Sequence, residues 1–190
     1  MGSFFDLPDN ETDEAITDDD YRVAQGDSPG KDRGIDAVYI DESKSPPTVH
    51  LLNCKYAVKL EKTESFFPSS ELDKILTFLG QLMAQDSDLM RDINVALRAK
   101  ATEILDHFAK TNPNFVLHFA SNCTEGLANE EELRLKNALK AYSNLRWTPS
   151  FRPLGAEIKM DFRGLLSSVF VCVVSVCASK NFRKERTSRD

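Results

Sequence analysis

Three polar residues interrupt two segments that otherwise have the composition of buried β-strands. Asp36 lies in Ile35–Ile40, and Asn53 and Lys55 close Thr48–Tyr56. Alternate residues of a strand share a face, so Asn53 and Lys55 lie on one side, and pairing of the two strands would bring Asp36 near both. This combination suits phosphodiester hydrolysis, because carboxylate and amide oxygens hold Mg²⁺ or Mn²⁺ while a lysine orients the attacking water.

The same spacing is compatible with a simpler structure, in which Lys55 and Asp36 form an ordinary ion pair on a surface hairpin. Asp32 is either a second acid beside the site or a turn residue. Tyr56 falls on the opposite face of its strand from Lys55, and we expect it in the core. Three further lysines flank the candidate site and either contact nucleic-acid phosphates or face solvent. These are Lys44, Lys59 and Lys62.

Hydrophobic periodicity predicts the elements that position these residues. The loop Asp41–Pro47 joins the first two strands as a hairpin. Apolar residues at helical spacing predict a helix beginning near Ser70 and a second one from Asp88 to Lys110. The order β-β-α-α-β-α-β-β indicates an α/β domain in which helices flank a central sheet. The remaining predicted elements are a strand at Phe115–Ala120, a helix at Glu130–Tyr142 and late strands at Ala156–Phe162 and Ser168–Ala178.

Charge is distributed unevenly along the 190 residues. The formal net charge is -6, and residues 1–50 carry 13 acids against 4 bases, a net of -9, so residues 51–190 carry +3. This balance excludes a generally basic coating but is compatible with a local nucleic-acid surface. We therefore divide the chain into an acidic, partly ordered N-terminal arm at 1–30, an α/β domain at 31–178 and a basic polar tail at 179–190.

Several functional classes are disfavoured by the absence of their motifs. The most apolar stretch, Leu165–Ala178, is shorter than the roughly 20 residues of a membrane span, so we expect a buried strand and no membrane partner. The N-terminus lacks the features of a secretory signal, which predicts a cytoplasmic location. The four cysteines form no CxxC pair, which disfavours a structural zinc site. Motifs for covalent catalysis or for a phosphate-binding glycine loop do not occur.

The segments around Asp36 and Lys55 resemble the restriction-endonuclease-like superfamily, the PD-(D/E)xK nucleases. GKDRGIDAVYID at 30–41, followed by VHLLNCKY at 49–56, is most similar to the nuclease region of abortive-infection phage-resistance proteins. The resemblance covers roughly Ile16 to Trp147 and implies a restriction-endonuclease-like α/β fold, with a central mixed sheet flanked by helices. It also implies a nuclease that hydrolyses DNA with Mg²⁺ or Mn²⁺ in bacterial phage defence.

The resemblance assigns roles to three residues. Asp36 matches the metal-binding acid, Lys55 matches the catalytic lysine, and Asn53 stands where the family has a second acid or a glutamine. Because many endonucleases of this fold cut duplexes as dimers, the resemblance also implies that a homodimer is a candidate assembly.

The sequence departs from the family pattern in ways that leave alternatives open. Asn53 carries no charge, which predicts weaker metal binding. No amphipathic helix that could donate a glutamate is visible before the first strand, where Glu11, Asp13 and Glu14 are the only early candidates and none is assigned. The family's proteins also run much longer. One alternative is therefore a catalytically degenerate domain of the same fold that binds nucleic acid or a partner protein, and another is a fragment without function of its own.

Overall fold

A computed structural model describes residues 7–111, 113–123, 125–141 and 169–175 of the chain. Its four strands form one sheet in the order β1-β2-β3-β4, with β1 antiparallel to β2 and with β2, β3 and β4 parallel. A mixed α/β architecture is therefore confirmed. The late strand at 156–162 and the basic tail at 179–190 lie outside the described residues. The strands are β1 Ala37–Asp41, β2 Thr48–Lys55, β3 Asn114–Ser121 and β4 Val169–Ser175.

Six α-helices lie in the described part of the chain, and a short 3₁₀ helix at Leu60–Lys62 follows β2. None of the six is long and apolar enough to cross a membrane. The helices are α1 Asp9–Ala15, α2 Asp19–Ala24, α3 Ser69–Met83, α4 Ser87–Asp92, α5 Val95–Lys110 and α6 Asn129–Ala141.

The prediction of one continuous helix from Asp88 to Lys110 is wrong, because the chain is extended at Asn94. The Asn94 side chain caps α5 by accepting the N–H of Leu97 at 2.8 Å, and its amide nitrogen donates to the carbonyl of Thr17 at 2.8 Å. The Asn94 backbone N–H donates to the carbonyl of Lys31 at 3.0 Å. These contacts with distant segments of the chain replace the helical hydrogen bonds that local propensity favours.

The antiparallel hairpin of β1 and β2 follows the predicted pattern. Tyr39 lies opposite His50, and Val38 lies opposite Leu51. One face of the sheet is buried against α3, α4, α5 and α6, where removal of apolar area from water provides the main stabilisation. The core residues on this face and its helices include Val38, Val49, Leu51, Phe115, Leu117, Phe119, Leu72, Ile75, Phe78, Leu79, Leu82, Leu89, Leu97, Ile104 and Leu135.

The segment that links α1 and α2 runs along the outer side of β1. Ile16 forms an antiparallel bridge with Ala37, and the N–H groups of Thr17 and Asp18 donate to the carbonyl of Asp36 at 2.9 and 3.0 Å. The buried Thr17 hydroxyl donates to the carbonyl of Ile35 at 2.5 Å. This part of the acidic arm is therefore attached to the sheet by backbone hydrogen bonds.

Two histidines meet on the other face of the sheet, where His50 Nδ1 lies 2.9 Å from His118 Nε2. Burial lowers the pKa of His50 to about 4 and that of His118 to about 3. An unfolded chain protonates both near pH 6.5, so the unfolded state binds more protons below that pH. We expect the free energy of unfolding to fall between pH 6.5 and 4, by up to about 1.4 kcal/mol per pH unit for each histidine.

Urea unfolding at a series of pH values measures this slope. His118→Gln should flatten it, whereas His107→Gln, on α5 and outside the pair, should leave the contribution of the pair in place. Comparison of the two variants separates the histidines from carboxylates that titrate in the same range. An unchanged slope in His118→Gln would contradict the prediction.

Candidate metal centre and active site

A glycine turn leads the chain into the candidate site. The Asp32 carboxylate accepts the N–H of Gly34 at 2.8 Å, as expected of a turn residue, and Arg33 and Gly34 both have positive φ, 56° and 71°. A Cβ at position 34 would lie 3.1 Å from Lys74 Cβ and 3.4 Å from Asn53 Nδ2. Glycine therefore meets both a conformational and a packing requirement at this position.

Asp36 immediately precedes β1 rather than lying inside the strand. Its N–H donates to the carbonyl of Leu52 at 2.8 Å, and its carboxylate accepts the N–H of Cys54. The Asp36 carboxylate is therefore fixed against the end of β2, at the backbone position between Asn53 and Lys55. This placement agrees with the expectation that strand pairing brings Asp36 to the end of β2.

Asp18 and Asp32 join Asp36 in a carboxylate cluster, defined here as these three residues. One ligand oxygen from each can be chosen so that all three lie within 4.8 Å of one another. A backbone N–H orients every member: Tyr21 donates to Asp18 at 2.7 Å, Gly34 donates to Asp32, and Cys54 donates to Asp36.

Asp18 is the member that sequence reasoning missed. It comes from the acidic arm, in the run Asp18–Asp20, where nothing but its position before a short helix distinguishes it from its neighbours. Glu11, Asp13 and Glu14, the early acids considered above, are not members of the cluster. The arm does contain helices, but the acid that reaches the site precedes α2 and is not inside a helix.

The negative charges of the three clustered carboxylates repel one another, so a cation bound among them would stabilise the cluster. The pKa of Asp36 is raised to about 6, mainly by burial; the charges of Asp32, Asp18 and Glu71 also raise this pKa, and the hydrogen bond from the Cys54 N–H lowers it. A carboxyl group with such a pKa gains electrostatic stabilisation when a cation approaches.

The donor set of the cluster fits a hard divalent cation. Mg²⁺ and Mn²⁺ prefer carboxylate oxygens, and each of the three acids offers one oxygen within 4.8 Å of the other two. The three carboxylates could therefore supply oxygens to one ion, with water completing the coordination.

Lys55 reaches the same end of the sheet and contacts a buried acid. Its Nζ lies 3.5 Å from Oε1 of Glu71, on the first turn of α3, and Lys74 Nζ lies 3.0 Å from the same oxygen. The Glu71 side chain is only 9% exposed. Burial acts to raise the pKa of Glu71, but the hydrogen bond and charge of Lys74 and the charge of Lys55 outweigh it and lower the pKa.

Glu71 therefore interacts both with Lys55 and with the carboxylate cluster. It pairs with Lys55, and its charge is close enough to influence the pKa of Asp36. The expected surface ion pair between Lys55 and Asp36 is replaced by a pair between Lys55 and Glu71. Sequence reasoning did not single out Glu71, because a glutamate in the first turn of a helix is an ordinary helix-stabilising residue.

Asn53 is buried, and its amide group has two different surroundings. Nδ2 donates to the carbonyl of Gly34 at 2.8 Å, which ties β2 to the glycine turn. Its Oδ1 is buried and has no hydrogen-bond partner among the described residues. Such an oxygen is costly to leave unpaired, and it is also a suitable ligand for a hard cation.

The other predicted residues are Lys44, which lies in the turn of the hairpin, and Tyr56, Lys59 and Lys62, which follow the end of β2. Lys44 is in the turn between β1 and β2, at the opposite end from Asp36 and Lys55, where it lies 3.8 Å from Asp41. The structure therefore does not bring Lys44 to the site. Lys59 and Lys62 follow Lys55 and are exposed. Their proposed contacts with nucleic acid stay predictions. Tyr56 is 75% exposed, so the expectation that it belongs to the core is wrong.

Substitution of Asp18 tests the electrostatics of the cluster. Because asparagine caps a helix as well as aspartate does, Asp18→Asn should preserve α2 while removing one charge. In metal-free protein we expect Asp36 to titrate near pH 6 and its pKa to fall in Asp18→Asn. NMR observation of the Asp36 side-chain carboxyl carbon through a pH titration measures the pKa of Asp36 in the unaltered protein and in the variant. Asp20→Asn, in the same acidic run but exposed, should leave the pKa of Asp36 in place, and an equal shift in both variants would contradict the assignment.

Comparison of the chain with protein-family models, with curated proteins and with solved structures finds no match.

Proposed function

We propose that this protein is a metal-dependent nuclease with a restriction-endonuclease-like fold that hydrolyses phosphodiester bonds of DNA, in the setting of bacterial phage defence that its resemblance implies. The carboxylate cluster of Asp18, Asp32 and Asp36 is the observation that carries the proposal. Asp36 of the cluster accepts the N–H of Cys54, which directly precedes Lys55, the catalytic lysine that the sequence suggests.

Each residue of the site has a role in this proposal. Asp18, Asp32 and Asp36 hold a divalent cation, with the Asn53 amide oxygen as a further candidate ligand. When bound, such a cation polarises the phosphate and lowers the pKa of water. Lys55 orients the attacking water and donates hydrogen bonds to the phosphate oxygens as negative charge develops on them. Glu71 positions the Lys55 ammonium through their ion pair.

Cleavage of supercoiled plasmid with Mg²⁺ or Mn²⁺ tests this function. The expected result is conversion to nicked or linear DNA that requires the metal and is abolished by chelation. Full binding of metal by folded protein without any cleavage of double-stranded or single-stranded DNA would contradict the proposal.

A second candidate function is a catalytically degenerate domain that binds nucleic acid or a partner protein. The observation that favours it is the bond between Asn53 Nδ2 and the Gly34 carbonyl, which gives Asn53 a structural role in place of a second acid. DNA binding without cleavage in the plasmid assay would support this candidate over the nuclease.

Asn53→Asp distinguishes a structural from a metal-binding asparagine. Aspartate removes the donor to Gly34 and adds a buried charge, so we expect the metal-free variant to lose about 1–3 kcal/mol of unfolding free energy. If the residue also faces the cation, Mn²⁺ should raise the melting temperature of this variant more than that of the unaltered protein. Its cleavage should also reach half of the maximal rate at a lower Mg²⁺ concentration.

Asn122→Asp is the matched control. The Asn122 amide donates to the carbonyl of Ala57 at 2.9 Å, so the substitution breaks a comparable bond. Mn²⁺ should not restore its stability, because Asn122 is not part of the proposed site. Equal rescue of both variants, or rescue of neither, would remove Asn53 from the ligand set.

A further inference from the structure

We propose that the loop at residues 56–66 is a binding surface for single-stranded DNA, on which Tyr56 and Phe66 stack against unpaired bases. The inference rests on the proposed function, because the loop begins directly after the candidate catalytic residue Lys55. It extends that function by naming an unpaired strand, rather than the intact duplex, as the nucleic acid held beside the site.

Exposed apolar side chains are concentrated in this loop. Tyr56 is 75% exposed, Val58 87% and Phe66 51%. They are three of the six large hydrophobic residues that are exposed in the described part of the chain, and both aromatic residues of that set lie here. Single exposed apolar residues are ordinary, whereas three within eleven residues that directly follow Lys55 make this loop the candidate contact surface.

Hydrogen bonds hold the backbone of the loop in place. The Asn122 side chain accepts the N–H of Ala57 at 2.7 Å and donates to its carbonyl at 2.9 Å. Near the other end, the Ser65 hydroxyl donates to the carbonyl of Lys62 at 2.6 Å, and the Phe67 N–H donates to the carbonyl of Gly126 at 2.7 Å. The aromatic rings are therefore presented to solvent by an anchored loop, which reduces the entropy cost of binding.

The loop carries four exposed charged side chains, which favour a polar strand over an apolar protein partner because an apolar partner would bury them unpaired. Lys59 and Lys62 are exposed and can contact phosphates, whereas Glu61 and Glu64 keep the loop itself at zero net charge. Binding on this surface should therefore depend on stacking more than on charge. Stacking of a base on an aromatic side chain contributes about 1–3 kcal/mol and tolerates any base.

Fluorescence anisotropy of labelled oligothymidine, with the full chain and EDTA present, tests the inference without cleavage. Tyr56→Ala and Phe66→Ala should each raise Kd between about fivefold and 150-fold, the equivalent of the stacking energy. Tyr56→Phe should bind like the unaltered chain. Leu133→Ala removes an exposed apolar side chain from α6 and should have no effect. A duplex of equal length should bind more weakly, because its bases are already stacked.

Tyr56→Trp supplies a direct signal. Oligothymidine should quench its fluorescence relative to the unaltered chain, which contains Trp147 alone. Equal affinity in Tyr56→Ala, Phe66→Ala and the unaltered chain, or absence of quenching at saturation, would overturn the inference. A change of oligomeric state in these variants without a change in Kd would also overturn it, in favour of a protein interface. Stacking without plasmid cleavage would contradict only the proposed nuclease activity.

Discussion

Asp36→Asn should abolish metal-dependent cleavage of plasmid DNA. The amide keeps the shape of the side chain but removes the charge of the one cluster member that is held against the end of β2. A bound cation contributes several kcal/mol to stabilisation of the transition state, so its loss should reduce the rate by about 10³-fold or more. The same variant should bind Mn²⁺ at least about tenfold more weakly, because a carboxylate ligand is lost.

Initial rates of nicking and electron paramagnetic resonance titration with Mn²⁺ measure the two effects. Asp20→Asn is the control for charge alone, since Asp20 is exposed and lies outside the cluster. Cleavage by Asp36→Asn at the rate of the unaltered protein would show that the activity belongs to another site or to a contaminant.

Lys55→Met should reduce kcat by about 10²- to 10³-fold, the usual effect of removing a group that stabilises charge in the transition state. Methionine retains the apolar stem, and Glu71 keeps Lys74 as a partner, so the fold should persist. Affinity for Mn²⁺ should not fall, because an ammonium is not a metal ligand. Single-turnover cleavage at saturating metal separates this effect on chemistry from weaker binding of DNA.

Lys74→Met is the matched control, because it removes the other ammonium from the same carboxylate. We expect it to change kcat far less than Lys55→Met. Equal losses in the two variants would mean that the charge balance around Glu71, and not the position of Lys55, is responsible.

The hairpin was predictable because its determinants are local. The strand pattern identified β2 to within one residue, with Thr48–Lys55 observed, and pairing of the strands brings the Asp36 carboxylate to the N–H of Cys54, between Asn53 and Lys55. Hydrophobic periodicity also identified the helix that became α3. In both cases the residues that specify the element are neighbours in sequence. A hydrophobic repeat of two residues for a strand, or of three to four residues for a helix, is therefore sufficient to predict it.

The rest of the site was not predictable, because it depends on contacts between distant segments. Asp18 reaches Asp36 only because the arm pairs with β1, and Glu71 reaches Lys55 only because α3 packs on the sheet. The break at Asn94 likewise depends on Thr17, 77 residues away. The strand pattern predicts a buried side chain at Tyr56, but β2 ends at Lys55 and the Tyr56 side chain is exposed.

A crystal soaked in Mn²⁺ would show whether Asp18, Asp32 and Asp36 bind one divalent cation. We expect an anomalous difference peak between the three carboxylates, in contact with Asp36, and a weaker peak in crystals of Asp36→Asn soaked at the same subsaturating Mn²⁺ concentration. A well-ordered cluster without a peak at saturating Mn²⁺, or a peak of equal height in Asp36→Asn at the subsaturating concentration, would contradict this site.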